Sequence, residues 1–338
     1  MSPMIARPFP WHTTALQTLM QGALGHHAWL LVGPPGAGTS ELAMGFAAAL
    51  LCRTPEAGHA CGKCESCHWW QAGLHPDLRV LTPDEQGDDD EVQKRKEIKI
   101  DAVRALMDWA YSSAHSGAKV VVVNPANTLN GNAANALLKL LEEPPPSVRF
   151  ILTTNDRKRI PATVLSRCVS FPVPLPTAQH ASDWLKEAEI PAAQIGLLLA
   201  QAGGLPLHAK TLADDTLQAE RQKFLEALSA PRELSALTWG DAIERVGKVE
   251  KRDALSNYLD WLIAWTHDVS AVKAAGSPRY NPDFTPSIEK LAKSLHTVGC
   301  FRYYANLIRQ KRLVQHPLNA RLVLEDVLIG YKNLVVAT

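Results

Sequence analysis

The sequence lacks the two patterns that direct a chain into a membrane or out of the cell. No stretch of about 18 apolar residues is present, although a helix needs roughly that length to cross a bilayer. The first twelve residues contain no cationic segment followed by an apolar one, as a secretory leader would. We therefore predict a soluble cytoplasmic protein.

The sequence also lacks a marked excess of charge. Lysine and arginine number 35 and aspartate and glutamate 34, so the formal net charge is +1. Any contact with DNA must therefore be local or shared with partners.

Large apolar residues are scarce in the charged segment 84–99, which predicts a surface loop. Internal repeats are absent too, and 338 residues suffice for two or three domains.

The order of apolar segments predicts an α/β domain followed by an all-α region. Short apolar runs at residues 27–32, 119–123 and 149–154 are typical of buried strands. Helical segments separate these runs, and this alternation indicates a parallel sheet. Three prolines in residues 171–176 disfavour both a helix and a central strand, so we place a domain boundary there. Beyond it the apolar periodicity is helical throughout.

The most informative absence is a lysine in the glycine-rich segment at residues 33–40. Its spacing is that of a phosphate-binding loop, with Thr39 at the position of the lysine. In a working loop that lysine neutralises the β- and γ-phosphates, and the next hydroxyl holds Mg²⁺. The metal-binding carboxylate expected after the next core strand is also missing, because Asn124 and Pro125 stand there. Two charges that an ATPase needs are therefore absent.

We interpret this segment as a vestigial nucleotide site that holds no cofactor for hydrolysis. Its residues are Gly33, Gly36, Gly38, Thr39, Ser40 and Asn124. One alternative is a chance glycine-rich turn, although a strand and a helix flank the segment as the motif requires. Another is an ATPase with substitute residues, which would have to replace both charges. Backbone amides at residues 36–40 could also hold an unhydrolysed nucleotide weakly.

Four of the six cysteines lie close together in the sequence. They are Cys52, Cys61, Cys64 and Cys67. Four thiolates at this spacing suit a tetrahedral zinc ion, and a site with four protein ligands is structural rather than catalytic. Clustered cysteines in a chain of this size also favour a reducing compartment over a disulfide framework. The open alternatives are a Cys₃His site that uses His59 or His68, unligated thiols and an iron–sulfur cluster.

Several separated motifs resemble one protein family. They are the run NALLKLLEEPP at residues 135–145, the triplet Ser166-Arg167-Cys168 and the cysteine segment after the phosphate-loop helix. Together they are similar to the delta-prime family of bacterial replicative clamp-loader subunits, which are AAA+ proteins of DNA polymerase III. The resemblance spans residues 30–173 and is looser in the helical half, where residues 316–328 are similar to the family's terminal helix.

The resemblance implies a fold and a set of partners. The implied domains are an AAA+ nucleotide-binding-type domain with the zinc module at residues 1–173, a helical lid at 174–209 and an all-α collar at 210–338. The implied partners are the tau/gamma motor subunits, the delta subunit, the sliding clamp in the assembly, and primed DNA reached through the complex. No membrane is implied.

Arg167 is the site residue that the resemblance singles out. In the family, the arginine of this triplet reaches into the ATP site of an adjacent motor subunit, which implies a catalytic role in trans. A planar, permanently charged guanidinium suits that role. Taken alone, an exposed arginine more commonly pairs with a carboxylate, here Glu142 or Glu143.

The leading hypothesis is a clamp-loader subunit that hydrolyses no ATP, supplies Arg167 to a neighbouring ATPase and helps load the sliding clamp in DNA replication. It would then be an accessory subunit of a DNA-directed DNA polymerase holoenzyme. The alternatives are an active motor subunit of the same family and a zinc-containing nucleic-acid adaptor that uses residues 52–70. Subunit order, stoichiometry and direct DNA contact do not follow from the sequence.

Overall fold

The computed structural model describes residues 9–83, 97–247, 250–314 and 319–336. It divides into two units, Met1–His180 and Ala181–Thr338. The loop predicted at residues 84–99 lies outside the described residues except for its last three, as do residues 316–318 of the terminal motif. Within the described ranges, no helix combines the length and the apolar character needed to cross a membrane.

A five-stranded parallel sheet forms the centre of the first unit. Its strands are β1 (Ala28–Val32), β2 (Leu78–Leu81), β3 (Lys119–Val123), β4 (Val148–Thr154) and β5 (Val169–Pro172). They lie in the order β2-β3-β4-β1-β5, and each neighbouring pair is parallel. Residues such as Leu30, Val121 and Ile151 are fully buried on the central strands, as expected when helices cover both faces of a sheet. The predicted α/β class with a parallel sheet is confirmed.

The apolar pattern of the sequence did not predict the two edge strands. β2 and β5 have four residues each, and Val80 and Val169 on them are exposed, so neither strand carries the continuous apolar run of a buried one. Pro172 ends β5, which is tolerated because proline can occupy an edge strand. The prolines at 171–176 thus exclude a central strand, as predicted, but an edge strand begins just before them.

Six α-helices lie wholly within the described part of the first unit. They are α1 (Thr13–Gly22), α2 (Thr39–Leu51), α3 (Glu65–Gln71), α4 (Ile100–Tyr111), α5 (Gly131–Glu142) and α6 (Ala162–Leu165). The side chain of Asn130 caps α5 by accepting a hydrogen bond of 2.8 Å from the amide of Ala133. Leu137 and Leu140 then face the core, which directs the exposed Glu142 at the end of the helix to the surface.

The described part of the chain beyond β5 contains only helices, which confirms the predicted all-α region. They are α7 (Ala178–Glu187), α8 (Ala192–Gln201), α9 (Pro206–Leu212), α10 (Asp215–Ser229), α11 (Ala236–Glu244), α12 (Glu250–Lys273), α13 (Thr285–Ser294), α14 (Thr297–Leu313) and α15 (Ala320–Val336). A small apolar cluster forms around Leu185 and Leu198, and a larger one forms around Trp265 and Tyr331. The division into three domains, with breaks near Pro174 and Lys210, stays a prediction.

Candidate functional site

Residues 33–38 form a tight loop between β1 and α2. Gly36 and Gly38 have φ angles of 86° and 82°, in the left-handed region that favours glycine. The amide of Gly33 donates to the carbonyl of Thr154 at 3.1 Å, which ties the loop to the end of β4. A side chain at Gly33 would collide with the hydroxyl of Thr39. The glycines are therefore required by the backbone, and the strand, loop and helix follow one another as in a phosphate-binding loop.

Aromatic rings from the N-terminal segment hold this loop from one side. Trp11 Nε1 donates to the carbonyl oxygen of Ala37 at 3.2 Å, and His12 Nε2 lies 3.0 Å from the same oxygen. A Cβ on Gly38 would lie only 2.8 Å from the rings of Phe9 and His12. The sequence analysis missed these residues, and the aromatic run before α1 is their only signal in the sequence. Trp11 and His12 fix the conformation of the loop through Ala37, its second-last residue.

His12 is held in its neutral form. The ring is fully buried, and this burial lowers the pKa of His12 to about 4. Because Nε2 faces the carbonyl oxygen of Ala37, it carries the proton of the neutral ring. Nδ1 has no hydrogen-bond partner among the described residues, so a second proton would be buried without an acceptor.

We expect the free energy of unfolding to fall below neutral pH because of His12. The pKa of His12 is about 4 in the folded protein, against the ordinary histidine value of 6.5. The unfolded state therefore binds more protons between these pH values, and stability falls as the pH decreases through them. Because of His12, the free energy of unfolding is about 2 kcal/mol lower at about pH 5 than at about pH 7.5. Urea unfolding at both pH values measures it.

The matched variant for this measurement is His12→Gln, whose side-chain amide can still donate to Ala37 but does not titrate. Other groups titrate in the same range in both proteins, so the difference between the two pH dependences isolates His12. An equal loss of stability in the wild type and in His12→Gln would contradict the prediction.

An amide occupies the position where a metal-binding carboxylate is expected. Asn124 Oδ1 accepts hydrogen bonds from Ser40 Oγ at 2.9 Å and from Thr153 Oγ1 at 2.6 Å. The fold thus brings Ser40 and Asn124 together although they lie far apart in the sequence. An amide oxygen carries no net charge to support Mg²⁺. Thr39 supplies no charge either, and its enclosed hydroxyl has no hydrogen-bond partner within the described ranges.

Arg167 follows α6 on the segment that leads into β5. Its Nη2 atom forms an ion pair of 2.5 Å with Glu142 Oε1, and the two side chains are 34% and 49% exposed. Nη1 donates to the carbonyl of Thr163 at 2.9 Å and to Ser166 Oγ at 3.2 Å. In the part of the chain that the structure describes, none of these polar contacts reaches the phosphate loop. The ion pair with Glu142 that the sequence allows is formed, and the arginine still faces solvent.

The four cysteines meet at one point between α2 and α3. Their sulfur atoms all lie within 4.8 Å of one another, with separations of 3.9, 3.9 and 3.7 Å for three of the pairs. Sulfur atoms about 2.3 Å from a tetrahedral zinc ion would lie about 3.8 Å apart. The amide of Cys61 also donates a hydrogen bond to the sulfur of Cys52 at 3.2 Å. The cluster could therefore bind a metal ion.

A chain of hydrogen bonds joins the cysteine segment to the sheet. Ser66 Oγ donates to the carbonyl of Leu51 at 2.6 Å and lies 2.7 Å from His75 Nε2. The amide of Asp77 donates to His75 Nδ1 at 3.1 Å, so the ring proton lies on Nε2. Burial lowers the pKa of His75, which agrees with a neutral ring. Asp77 then accepts from the amide of Ser116 at 2.6 Å. The sequence analysis missed this connection.

Comparisons with known proteins agree on one family. Residues 12–176 match the family model described as DNA polymerase III, delta subunit, and residues 216–333 match the model described as DNA polymerase III, delta subunit, C terminal. A Pseudomonas aeruginosa protein named DNA polymerase III subunit delta' is 34% identical over 343 residues, which cover 96% of this chain and 98% of the relative. The protein of that name from Escherichia coli K12 is 30% identical, with 97% of this chain and 96% of the relative covered.

More distant similarities involve other subunits. The Escherichia coli protein named DNA polymerase III subunit tau is 35% identical over 147 residues, or 43% of this chain and 21% of the relative. Among solved structures, a DNA polymerase III gamma subunit-related protein from Thermotoga maritima aligns with 94% of this chain and 99% of its own, at 19% identity and a TM-score of 0.47.

Proposed function

The chain belongs to the family of DNA polymerase III delta' subunits, and from this premise we propose that it hydrolyses no ATP itself and supplies Arg167 to a neighbouring ATPase subunit of the clamp loader. Its partners are then the tau/gamma motor subunits and the delta subunit. The assembly places the sliding clamp on primed DNA during replication in the cytoplasm. Arg167 acts in trans as an arginine finger, which stabilises charge on the transferring phosphoryl group.

One observation carries the proposal: the backbone of the phosphate loop is intact, but the lysine and the carboxylate that an ATPase site needs are both absent. Ser40 Oγ donates a hydrogen bond of 2.9 Å to Oδ1 of the neutral Asn124. An ATPase needs a carboxylate at this position, beside its Mg²⁺. Thr39 stands where the ammonium group of a lysine would neutralise the triphosphate. Arg167 lies outside this loop and keeps exposed surface, as a residue that serves another subunit must.

We further propose that the four-cysteine cluster holds structural zinc. The residues Cys52, Cys61, Cys64 and Cys67 would be its ligands, and the sulfur separations fit the ion. When bound, the metal supplies folding free energy to a segment with few apolar residues of its own. Ser66 and His75 transmit this order to the sheet through their hydrogen bond.

ATP turnover by the isolated chain and by the assembly tests the proposal. We expect the isolated chain to hydrolyse Mg-ATP at on the order of 10⁻³ s⁻¹ or less, because intact GTPases without an arginine finger already turn over that slowly. Adding the chain to motor and delta subunits should nevertheless raise ATP turnover. Ordinary motor-like turnover by the isolated chain would contradict the proposal and favour an active ATPase.

A double variant checks the physical reason for the inactivity. Thr39→Lys together with Asn124→Asp restores both missing charges, so we expect it to gain calorimetrically detectable binding of Mg-ATP that the wild type lacks. Thr39→Gln with Asn124 unchanged is the control, since it lengthens the side chain without adding charge. Failure of the folded double variant to bind would show that charge is not what the loop lacks.

A further inference from the structure

The guanidinium of Arg167 is held by two different elements of the fold. Its ion pair is with Glu142, the last residue of α5, and its Nη1 hydrogen bonds are to Thr163 in α6 and to Ser166 directly after it. An arginine has five N–H donors, of which these contacts use three. Among the described residues, Nε–H and one N–H on Nη2 have no partner, and both belong to the planar guanidinium that matches phosphoryl oxygens.

This arrangement orients the side chain without hiding it. A long side chain such as arginine has many rotamers, and contacts from a second element reduce their number. A group that is already oriented before the reaction needs no reorganisation during it. The ion pair is also half exposed, and exposed pairs contribute little to stability. Its location therefore suits a role in orientation better than a role in folding.

We propose that Glu142 is a positioning residue that holds the guanidinium of Arg167 in the orientation in which it enters the ATP site of the neighbouring subunit. This inference rests on the proposed function. Glu142 keeps its bond to Nη2 while the two remaining donors, Nε–H and the second proton of Nη2, bind the phosphoryl oxygens. Glu142 acts through Arg167 and touches no substrate itself.

The adjacent residue Glu143 provides a matched control. It has the same charge, follows Glu142 directly at the end of α5 and is exposed. Among the described residues, the ion pair of Arg167 is with Glu142 and not with Glu143. A general effect of negative charge at this end of the helix would involve both residues equally, whereas positioning involves Glu142 alone.

Steady-state ATP hydrolysis by the complete reconstituted assembly tests the inference. We expect Glu142→Ala to lower kcat about 10-fold with KM for ATP nearly unchanged, which is less than the roughly 10²-fold loss that a displacement of about 1 Å can cause. Glu142→Gln keeps an oxygen acceptor at the same reach and should recover kcat to within about 3-fold of the wild type. Glu143→Ala should behave as the wild type, and the Tm of the isolated chain should be unchanged in all three variants.

The remaining outcomes separate this inference from the proposed function. If Arg167→Ala lowers turnover while Glu142→Ala does not, positioning by Glu142 is wrong and the arginine finger stands. If Arg167→Ala has no effect, the proposed function itself is wrong. A faster rate in Glu142→Ala would mean that Glu142 restrains the finger, which also overturns the inference.

If Glu142→Ala does not fold, Glu142→Asp replaces it in the test. The shorter side chain of aspartate loses the ion pair with Arg167, so a wild-type kcat in that variant overturns the inference.

Discussion

Replacing Arg167 by alanine is expected to lower ATP hydrolysis at the adjacent motor site by about 10³-fold, because arginine fingers contribute on the order of 10³ to 10⁵ in rate. The truncation removes only a side chain that is 34% exposed and whose ion pair lies at the surface, so the Tm of the isolated chain should change little. Single-turnover hydrolysis and clamp loading by the reconstituted assembly measure the effect.

Two further variants make this measurement specific. Arg159→Ala removes another exposed arginine, eight residues earlier and just before α6, and should leave hydrolysis unchanged. Arg167→Lys keeps the positive charge but not the planar fork of donors, so we expect it to restore only part of the rate. Hydrolysis that is equally fast with arginine, lysine or alanine at position 167 would remove Arg167 from the mechanism.

Removal of the metal is expected to produce the largest loss of stability. An ion present at about a thousandfold excess over its Kd stabilises the folded state by about 4 kcal/mol, and for a unit of this size such a loss lowers Tm by about 10 °C. A strong chelator should therefore lower Tm by that amount, and added zinc should restore it. Hydrogen exchange should also become faster in β2, because His75 and Asp77 connect the cysteine segment to that strand.

Metal analysis of cysteine variants tests the ligand assignment. Cys64→Ser should lower the bound zinc well below one ion per chain, whereas Cys168→Ala should leave it unchanged because Cys168 lies outside the cluster. One zinc ion per chain also separates this site from an iron–sulfur cluster, which absorbs visible light. Full zinc content in Cys64→Ser, or no change in Tm after chelation, would contradict a structural four-thiolate site.

Local sequence was sufficient to predict the parts of the site that depend on residue type. The missing lysine at Thr39, the amide at Asn124 and the spacing of Cys52 to Cys67 can each be read from a few neighbouring residues. The central strands could be predicted for the same reason, since a buried strand is a continuous apolar run. The exposed edge strands β2 and β5 have no such run, and their pairing depends on strands that are distant in sequence.

By itself, the sequence determined the chemical character of the protein: a phosphate loop without its charges, four clustered thiols and an arginine in a recognisable motif. Only the tertiary structure decided which groups meet. Glu142 rather than Glu143 pairs with Arg167, His12 and Trp11 support Ala37, and Ser66 reaches His75. The physical reason is that residue type follows from the local chain, whereas a contact between two elements depends on how the sheet and helices pack, which no short segment encodes.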